Sequence, residues 1–247
     1  MSDATSIHTE RYGEANLSIL NLIQLLQSRA IHQPERLAYT FLLDGEEEES
    51  HLTYGALEQQ ARAVGACLQG LGLRGERSFC STPPGLEYIA AFWGCLYAGA
   101  VAVPAYPPRL NRNMERLLAI VEDARPSAAL MNGQILSRLK PLLHEVPELR
   151  ALKWLVSEEI DLSSAERWRE PEVDATTLAF LQYTSGSTAA PKGVMVSHGN
   201  LLHNEELITR AFNQSEESVI VGWLPLYHDM GLIGTSCNLS TSVRVAF

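Results

Sequence analysis

Short apolar runs alternate with amphipathic segments along this chain, and that alternation limits the folds it can adopt. Strands are predicted at residues 37–43, 100–103, 128–131, 152–156 and 178–183. Helices are predicted at residues 17–30, from Thr53 to about Gly70 or Gly72, before Gly99, and at 113–124. Strands that alternate with helices through short connections favour an α/β fold, because parallel strands need helical crossovers. We therefore expect a mostly parallel sheet flanked by helices.

Local turn and capping signals place the limits of several of these elements. Asp44-Gly45 predicts a hairpin turn after the first strand, and the acidic residues that follow it form the turn's charged tip. Thr53 is placed to cap the next helix with its hydroxyl group. Gly99 predicts the end of a buried helix. These signals fix the order of the first elements of the chain.

Charge and cysteine content exclude several classes of function. The net charge is −10, from 19 Lys and Arg against 29 Asp and Glu, so no basic surface for nucleic acid is expected. The 4 cysteines show neither paired metal spacing nor disulfide-rich density, which predicts a cytoplasmic protein without metal-ligating cysteines. Residues 88–108 carry no charge. Gly94, Gly99 and Pro104 interrupt that run, so we predict a buried helix and a strand rather than a membrane span.

The segment 183–194 concentrates hydroxyl side chains, glycines and one lysine directly after a predicted strand. Glycine and small hydroxyl residues let backbone N–H and side-chain O–H groups converge on phosphate oxygens, and Lys192 adds a positive charge. The Walker pattern is absent, because Pro191-Lys192-Gly193 stands where Gly-Lys-Ser/Thr is required. The nucleophile motif Gly-x-Ser-x-Gly is also absent. The residues alone leave two interpretations open, a phosphate-binding loop and a solvated loop.

Three motifs, in order, resemble one family. Residues 184–194, Thr-Ser-Gly-Ser-Thr-Ala-Ala-Pro-Lys-Gly-Val, resemble the phosphate-binding signature of the adenylate-forming superfamily, and 195–201 continues as in fatty acyl-AMP ligases. Ala189 stands where most members have glycine, although fatty acyl-AMP ligases often do not. The blocks at 222–234, and at 83–85 with 94–108, are equally characteristic. Over roughly residues 17–234, the chain is similar to the N-terminal part of the large domain of a fatty acyl-AMP ligase.

The resemblance implies a reaction and its reactants. In this family a carboxylate attacks the α-phosphate of ATP, pyrophosphate leaves and an acyl-adenylate remains, with catalysis mainly by positioning and charge neutralisation. The implied substrate is a fatty acid or another carboxylic acid. The implied cofactors are ATP and Mg²⁺, although no metal-ligating residue is predicted in this chain. The implied acceptor is the phosphopantetheine arm of an acyl carrier protein, or of a polyketide or peptide synthase.

The same resemblance assigns the site residues. Catalytic roles are implied for Lys192 and His228, with His228 beside the acyl and adenylate site. The residues implied to hold the phosphates are Thr184, Ser185, Gly186, Ser187, Thr188, Lys192 and Gly193. We expect Asp229 to be structural and to orient a loop. We expect His198 and His203 to be surface or capping residues, and Trp223 and Tyr227 to pack in the core or a pocket wall.

Two other assignments share these motifs and remain open. An acyl-CoA synthetase or a peptide-synthetase adenylation domain would carry a similar signature. A non-catalytic nucleotide-binding protein, or the product of a pseudogene, would explain the motifs without a reaction. Residues 1–16 are expected to form a flexible N-terminus and 17–234 a partial ligase domain.

The resemblance stops at the tail, residues 235–247. With one choice of codons, reading one base earlier turns this stretch into Ile-Leu-Gln-Pro-Leu-Tyr-Val-Gly-Ser-Arg-Gly-Val, which resembles the family's next segment. We therefore hypothesise a reading-frame change. The adenine and ribose contacts, the magnesium carboxylate and the small C-terminal domain are expected downstream. On this view, the chain as given does not form acyl-adenylate at a useful rate.

A second irregularity is the stretch Ser-Phe-Cys-Ser-Thr at 78–82. A buried strand is expected before Pro83, yet these residues are poor material for a sheet core. A pair of compensating frame changes would restore an apolar strand. The alternative is a polar strand at the edge of the sheet.

Overall fold

The computed structural model describes residues 19–43, 45–107, 114–184 and 191–237. Its main feature is a six-stranded sheet in the order β6-β5-β3-β4-β7-β8. Every neighbouring pair is parallel except β7 and β8. The predicted fold class, a mostly parallel sheet flanked by helices, is therefore confirmed.

The strands are β1 Leu37–Leu42, β2 Glu49–Thr53, β3 Arg77–Cys80, β4 Val101–Pro104, β5 Ala128–Met131, β6 Lys153–Val156, β7 Leu178–Thr184 and β8 Lys192–Ser197. The α-helices are α1 Leu22–His32, α2 Tyr54–Gly70, α3 Leu86–Ala98, α4 Met114–Ala124, α5 Gly133–Glu145, α6 Pro147–Arg150, α7 His198–Ala211 and α8 Asp229–Gly231. Short 3₁₀ turns lie at Ser157–Glu159 and Leu162–Arg167, and a π-helical turn lies at Leu232–Ser236.

The predicted hairpin and cap at the start of the fold are confirmed. Strands β1 and β2 pair antiparallel, with Leu42 opposite Glu49. Asp44 lies outside the described residues. The Thr53 hydroxyl oxygen accepts a hydrogen bond from the backbone N–H of Ala56 at 3.2 Å, which satisfies one of the free donors at the start of α2.

Side chains alternate between the two faces of the sheet and create two cores. Along β3, Cys80 joins the core that contains α1, α2 and α3, whereas Phe79 joins the core that contains α4. Such alternation follows from the two-residue period of a strand. Helices therefore cover both faces, as parallel strands with crossover connections require.

Helix α3 is buried along almost its whole length, which explains the uncharged run in the sequence. Every residue from Tyr88 to Ala98 is buried. Gly99 ends the helix with a φ of 68°, a left-handed conformation that glycine adopts without steric cost. Within the described ranges, no helix is long and apolar enough to cross a bilayer.

Strand β3 is the buried strand expected before Pro83, and the alternative of a polar edge strand is wrong. It lies inside the sheet and pairs with β4 on one side and β5 on the other. Ser78, Ser81 and Thr82 are fully buried. The hydroxyl oxygens of Ser78 and Thr82 have no hydrogen-bond partner among the described residues. Unpartnered buried hydroxyl groups cost free energy, so the sheet hydrogen bonds of β3 and the packing of Phe79 and Cys80 must offset that cost.

Candidate functional site

The β7–β8 hairpin brings two predicted site residues together. Its register places Tyr183 opposite Gly193 and Thr184 opposite Lys192, the last pair before the chain enters the connecting loop. Both Thr184 and Lys192 are exposed. We call this pair the hairpin mouth. Ser185, Gly186, Ser187 and Thr188 lie outside the described residues.

Buried residues of β7 fix the hairpin mouth to the rest of the fold. Strand β7 pairs with β4 through Phe180, which is fully buried. One residue below the mouth, the Tyr183 hydroxyl group donates a hydrogen bond to Asp123 Oδ2 at 2.5 Å. Burial raises the pKa of Tyr183, and the hydrogen bond to Asp123 raises it further, so this phenol stays protonated at neutral pH. The hairpin is thereby joined to α4.

A second contact brings the segment that carries His228 to the same strand. The side-chain Nε2 of Gln182 donates to the backbone carbonyl of Tyr227 at 3.2 Å. Gln182 lies two positions before Thr184 in β7, and Tyr227 directly precedes His228. The first and second sequence motifs therefore meet in the fold.

The third motif joins them through aromatic and backbone contacts. The ring of Tyr106 lies edge-on to that of Tyr227, with 6.0 Å between centroids and 70° between planes. The Ser81 hydroxyl group donates to the Tyr106 carbonyl oxygen at 3.1 Å. Ser81, Tyr106 and Thr184 lie at the carboxyl ends of β3, β4 and β7. Open parallel sheets bind their ligands outside the carboxyl ends of their strands, at the point where the strand order reverses.

His228 is exposed and pairs with its neighbour. Its Nδ1 lies 2.6 Å from Asp229 Oδ1. Asp229 Oδ1 also accepts the backbone N–H of Met230 at 2.8 Å, so the carboxylate is held while it orients the imidazole. Asp229 was expected to orient a loop, and its partners in the structure are the His228 ring and the backbone N–H of Met230. A side chain at Gly231 would place its Cβ 2.2 Å from the Pro225 carbonyl oxygen, so this tight turn requires glycine.

The groups fit phosphate better than a protein-bound metal. Lys192 offers three N–H donors and a positive charge beside the Thr184 hydroxyl group, which suits phosphate oxygens. In the part of the chain that the structure describes, no three His, Cys, Asp or Glu residues form a group able to hold a metal ion. The implied Mg²⁺ therefore stays a prediction.

Comparison with known proteins decides the family. Residues 26–247 match the family model described as AMP-binding enzyme. The chain belongs to this family. Its relatives include fatty acid ligases, as the motifs predicted.

Two curated members show how far the likeness extends. A medium-chain-fatty-acid–[acyl-carrier-protein] ligase, JamA of Moorena producens, is 45% identical over 216 residues. A long-chain-fatty-acid–AMP ligase, FadD32 of Mycobacterium marinum, is 33% identical over 218 residues. The alignments cover 86% of this chain but only 36% of JamA and 34% of FadD32. The chain thus spans about a third of these relatives.

A solved structure supports the same assignment. The crystal structure of a fatty acyl-adenylate ligase from L. pneumophila, in complex with acyl adenylate and pyrophosphate, matches with a TM-score of 0.81 at 37% identity. The match covers 92% of this chain and 39% of that one. The predicted architecture, part of the large domain of an adenylate-forming enzyme, agrees with this likeness.

Two side chains of the AMP-binding domain differ from expectation. His198, expected at the surface or as a capping residue, is buried, and its Nδ1 accepts the backbone N–H of Leu22, the first residue of α1, at 3.3 Å. Burial lowers its pKa to about 4, so the ring is neutral and ties α7 to α1. Trp223 is 80% exposed and does not pack in the core. His203 is exposed, and Tyr227 is partly buried against the core, both as predicted.

Sequence reasoning missed two residues that hold the site together. Gln182 interrupts an otherwise apolar strand, and a buried amide in such a strand signals a specific partner. Asp123 gave no comparable signal, because a carboxylate near the end of an amphipathic helix is ordinarily solvated. The ligand roles of Thr184, Lys192, Gly193 and His228 stay predictions.

Proposed function

We propose that this chain supplies the phosphate-binding part of an ATP-dependent ligase that activates a fatty acid as its acyl-adenylate. The fatty acid carboxylate oxygen attacks the α-phosphorus of ATP. The bond from that phosphorus to the bridging oxygen breaks, and pyrophosphate leaves with the bonding electrons. The acyl group is then passed to the phosphopantetheine thiol of a carrier protein, and AMP is released.

The hairpin mouth is the observation that carries this proposal. Lys192 and Thr184 face each other on an antiparallel pair that is fixed to the sheet by β4 and to α4 by Tyr183. A cation and a hydroxyl group held in this way can neutralise and orient the β- and γ-phosphates before the reaction begins. Preorganised charge of this kind is the main source of rate enhancement in phosphoryl-type transfers.

His228 is proposed to orient the reacting carboxylate. Its imidazole is exposed, is held by Asp229, and follows the Tyr227 carbonyl group that Gln182 binds. Pairing with Asp229 favours a proton on Nδ1 and leaves Nε2 to face the substrate.

The identity of the acid and of its acceptor comes from the relatives. JamA is named for a medium-chain fatty acid and an acyl carrier protein, and the L. pneumophila ligase holds an acyl adenylate. Mg²⁺ would accompany ATP and neutralise phosphate charge. All 4 cysteines are free, which suits the reducing cytoplasm that we propose for this protein.

A fusion protein tests the proposed reaction. Residues 1–234 of this chain are joined to the part of JamA that the chain does not span, and fatty-acid-dependent exchange between pyrophosphate and ATP is measured. We expect exchange from the fusion and none from the 247-residue chain alone. His228→Ala should slow exchange at least about tenfold, whereas His203→Ala, at an exposed histidine of α7, should not. A folded fusion that binds ATP but gives no exchange with any fatty acid contradicts the proposal.

A further inference from the structure

Tyr183 occupies an unusual position directly beneath the hairpin mouth. It is the last buried residue of β7, and its cross-strand partner is Gly193 of β8. A Cβ built on Gly193 would lie 3.0 Å from Tyr183 Cζ and 3.1 Å from its hydroxyl oxygen. The phenol ring therefore lies against the backbone of β8, and a Cβ at position 193 would crowd it.

The far end of the same ring is tied to a different layer. The hydroxyl group donates to Asp123 at 2.5 Å, and Asp123 belongs to α4, whose Leu117, Ile120 and Val121 pack in the same core as Tyr183. Helix α4 shares that core with residues of β3, β4 and β5, and it also contacts β8 of the hairpin directly. The Tyr183 side chain adds a specific connection between α4 and both strands of the hairpin, because Tyr183 belongs to β7, its ring lies against Gly193 of β8, and its hydroxyl group binds Asp123 of α4.

We propose that Tyr183 is a positioning residue, which through Asp123 and Gly193 sets the separation and direction of Thr184 and Lys192 for binding the polyphosphate of a nucleotide. This inference rests on the proposed function for its ligand. An exposed pair of strand ends would otherwise fray, because terminal pairs have few buried contacts. The contacts of Tyr183 with Asp123 and Gly193, which we call the tether, restrict this fraying before phosphate binds. Preorganisation of this kind increases affinity.

Amide hydrogen exchange in the full 247-residue chain tests whether Tyr183 restrains the ends of β7 and β8. Exchange is followed in β7 residues 182–184 and β8 residues 192–194. Tyr183→Phe removes the hydroxyl group and keeps the ring, and it should accelerate exchange at these strand ends about tenfold. Tyr97→Phe is the matched control, because the Tyr97 hydroxyl group is buried in α3 with no partner among the described residues.

Calorimetric titration with pyrophosphate tests whether this restraint increases the affinity for a polyphosphate. Tyr183→Phe and Asp123→Ala should each weaken binding about tenfold, and the double variant should be no weaker than either single one. Asp123→Asn keeps a carbonyl acceptor for the phenol and should restore affinity to within about twofold of the unaltered chain. If Tyr183 and Asp123 had only a structural role, their substitution would lower the melting temperature, but pyrophosphate affinity would not be lost in Asp123→Ala and restored in Asp123→Asn.

The two measurements separate failure of this inference from failure of the proposed function. Accelerated exchange with parallel loss of pyrophosphate affinity supports the inference. Unchanged exchange in Tyr183→Phe overturns it, even if the unaltered chain binds pyrophosphate. Accelerated exchange without any pyrophosphate binding by the unaltered chain overturns both the ligand assignment and the proposed function, while the tether itself remains demonstrated.

Discussion

The Gln182 side chain reaches from β7 to the backbone carbonyl group of Tyr227 at 3.2 Å, and this contact joins two motifs that are 45 positions apart in the sequence. Gln182 is 6% exposed, and its Oε1 has no hydrogen-bond partner in the described part of the chain. A polar side chain is thus kept in the sheet at some cost in stability. What it provides is a fixed distance between the hairpin that ends in Thr184 and the segment that carries His228.

Removing this amide should release the His228 segment. Gln182→Leu leaves the Tyr227 carbonyl oxygen unpaired, and we expect a loss of about 1–3 kcal/mol in the free energy of unfolding by urea. Limited proteolysis should also become faster at residues 225–231. Gln69→Leu is the control, since Gln69 bonds to the Arg169 carbonyl at 2.6 Å between other elements. That variant should lose similar stability without faster cleavage at 225–231. Equal cleavage in both variants would contradict this role for Gln182.

The contact between α2 and α3 depends on a missing side chain at Gly94. A Cβ there would lie 2.3 Å from Val64 Cγ1. Gly94→Ala should therefore lower the free energy of unfolding by about 1–3 kcal/mol. Val64 is branched at Cβ, so its side chain cannot change χ1 rotamer to relieve the clash without strain. Val64→Ala in the Gly94→Ala background should recover part of that loss, a coupling that a double-mutant cycle in urea measures.

A matched glycine shows that the effect comes from packing. Gly70 ends α2 with open space around its would-be Cβ. Gly70→Ala should be neutral or slightly stabilising, as expected for alanine in a helix. If Gly94→Ala proves as harmless as Gly70→Ala, the close helix packing described here is wrong.

Glu205 should make the stability depend on pH in an unusual direction. It is 2% exposed, neither carboxylate oxygen has a partner among the described residues, and burial raises its pKa from 4.5 to about 8. A raised carboxyl pKa means that the folded state keeps a proton that the unfolded state releases. Between pH 4.5 and about 8, the contribution of Glu205 to stability therefore falls as pH rises.

Urea unfolding at pH 5 and pH 8 measures this effect. Glu205→Gln carries no ionisable group and should reduce the loss of stability between the two pH values. Each unit of pKa shift corresponds to about 1.4 kcal/mol, so the difference should be well above experimental error. Glu217→Gln, at an exposed position, should behave as the unaltered chain does. A pH dependence unaffected by Glu205→Gln would show that this carboxyl group is solvated.

The sequence predicted the parts of the fold that follow from local patterns. Strand β5 was predicted at the residues where it lies, and Thr53 and Gly99 cap their helices as their chemistry requires. Periodicity placed α1 too early, at 17–30 instead of Leu22–His32, because Asn21 caps it through an acceptor at 2.9 Å from the Gln24 N–H. Helix starts are set by such caps, and the apolar pattern does not locate them.

The differences arise where tertiary context decides. Polar Ser78 is in a central strand, since sheet order depends on the crossovers and not on the composition of one strand. His198 is buried because α1 supplies a backbone donor from a distant part of the sequence. Trp223 is exposed because it lies in a segment without regular secondary structure that pairs with no described strand. The site residues came from motif resemblance, whereas the contacts that position them required the fold.

The affinity of this chain for MgATP, measured by calorimetry in parallel with that of Lys192→Ala and Lys153→Ala, tests the phosphate site most directly. Lys153 begins β6, and its ammonium group donates to the Leu71 carbonyl at 2.8 Å, so it lies at the opposite edge of the parallel strands from the hairpin mouth. We predict saturable binding by the unaltered chain, binding at least about tenfold weaker for Lys192→Ala, and no change for Lys153→Ala. Equal affinity in all three proteins, or no saturable binding by the unaltered chain, would contradict the assignment of the hairpin mouth as a phosphate site.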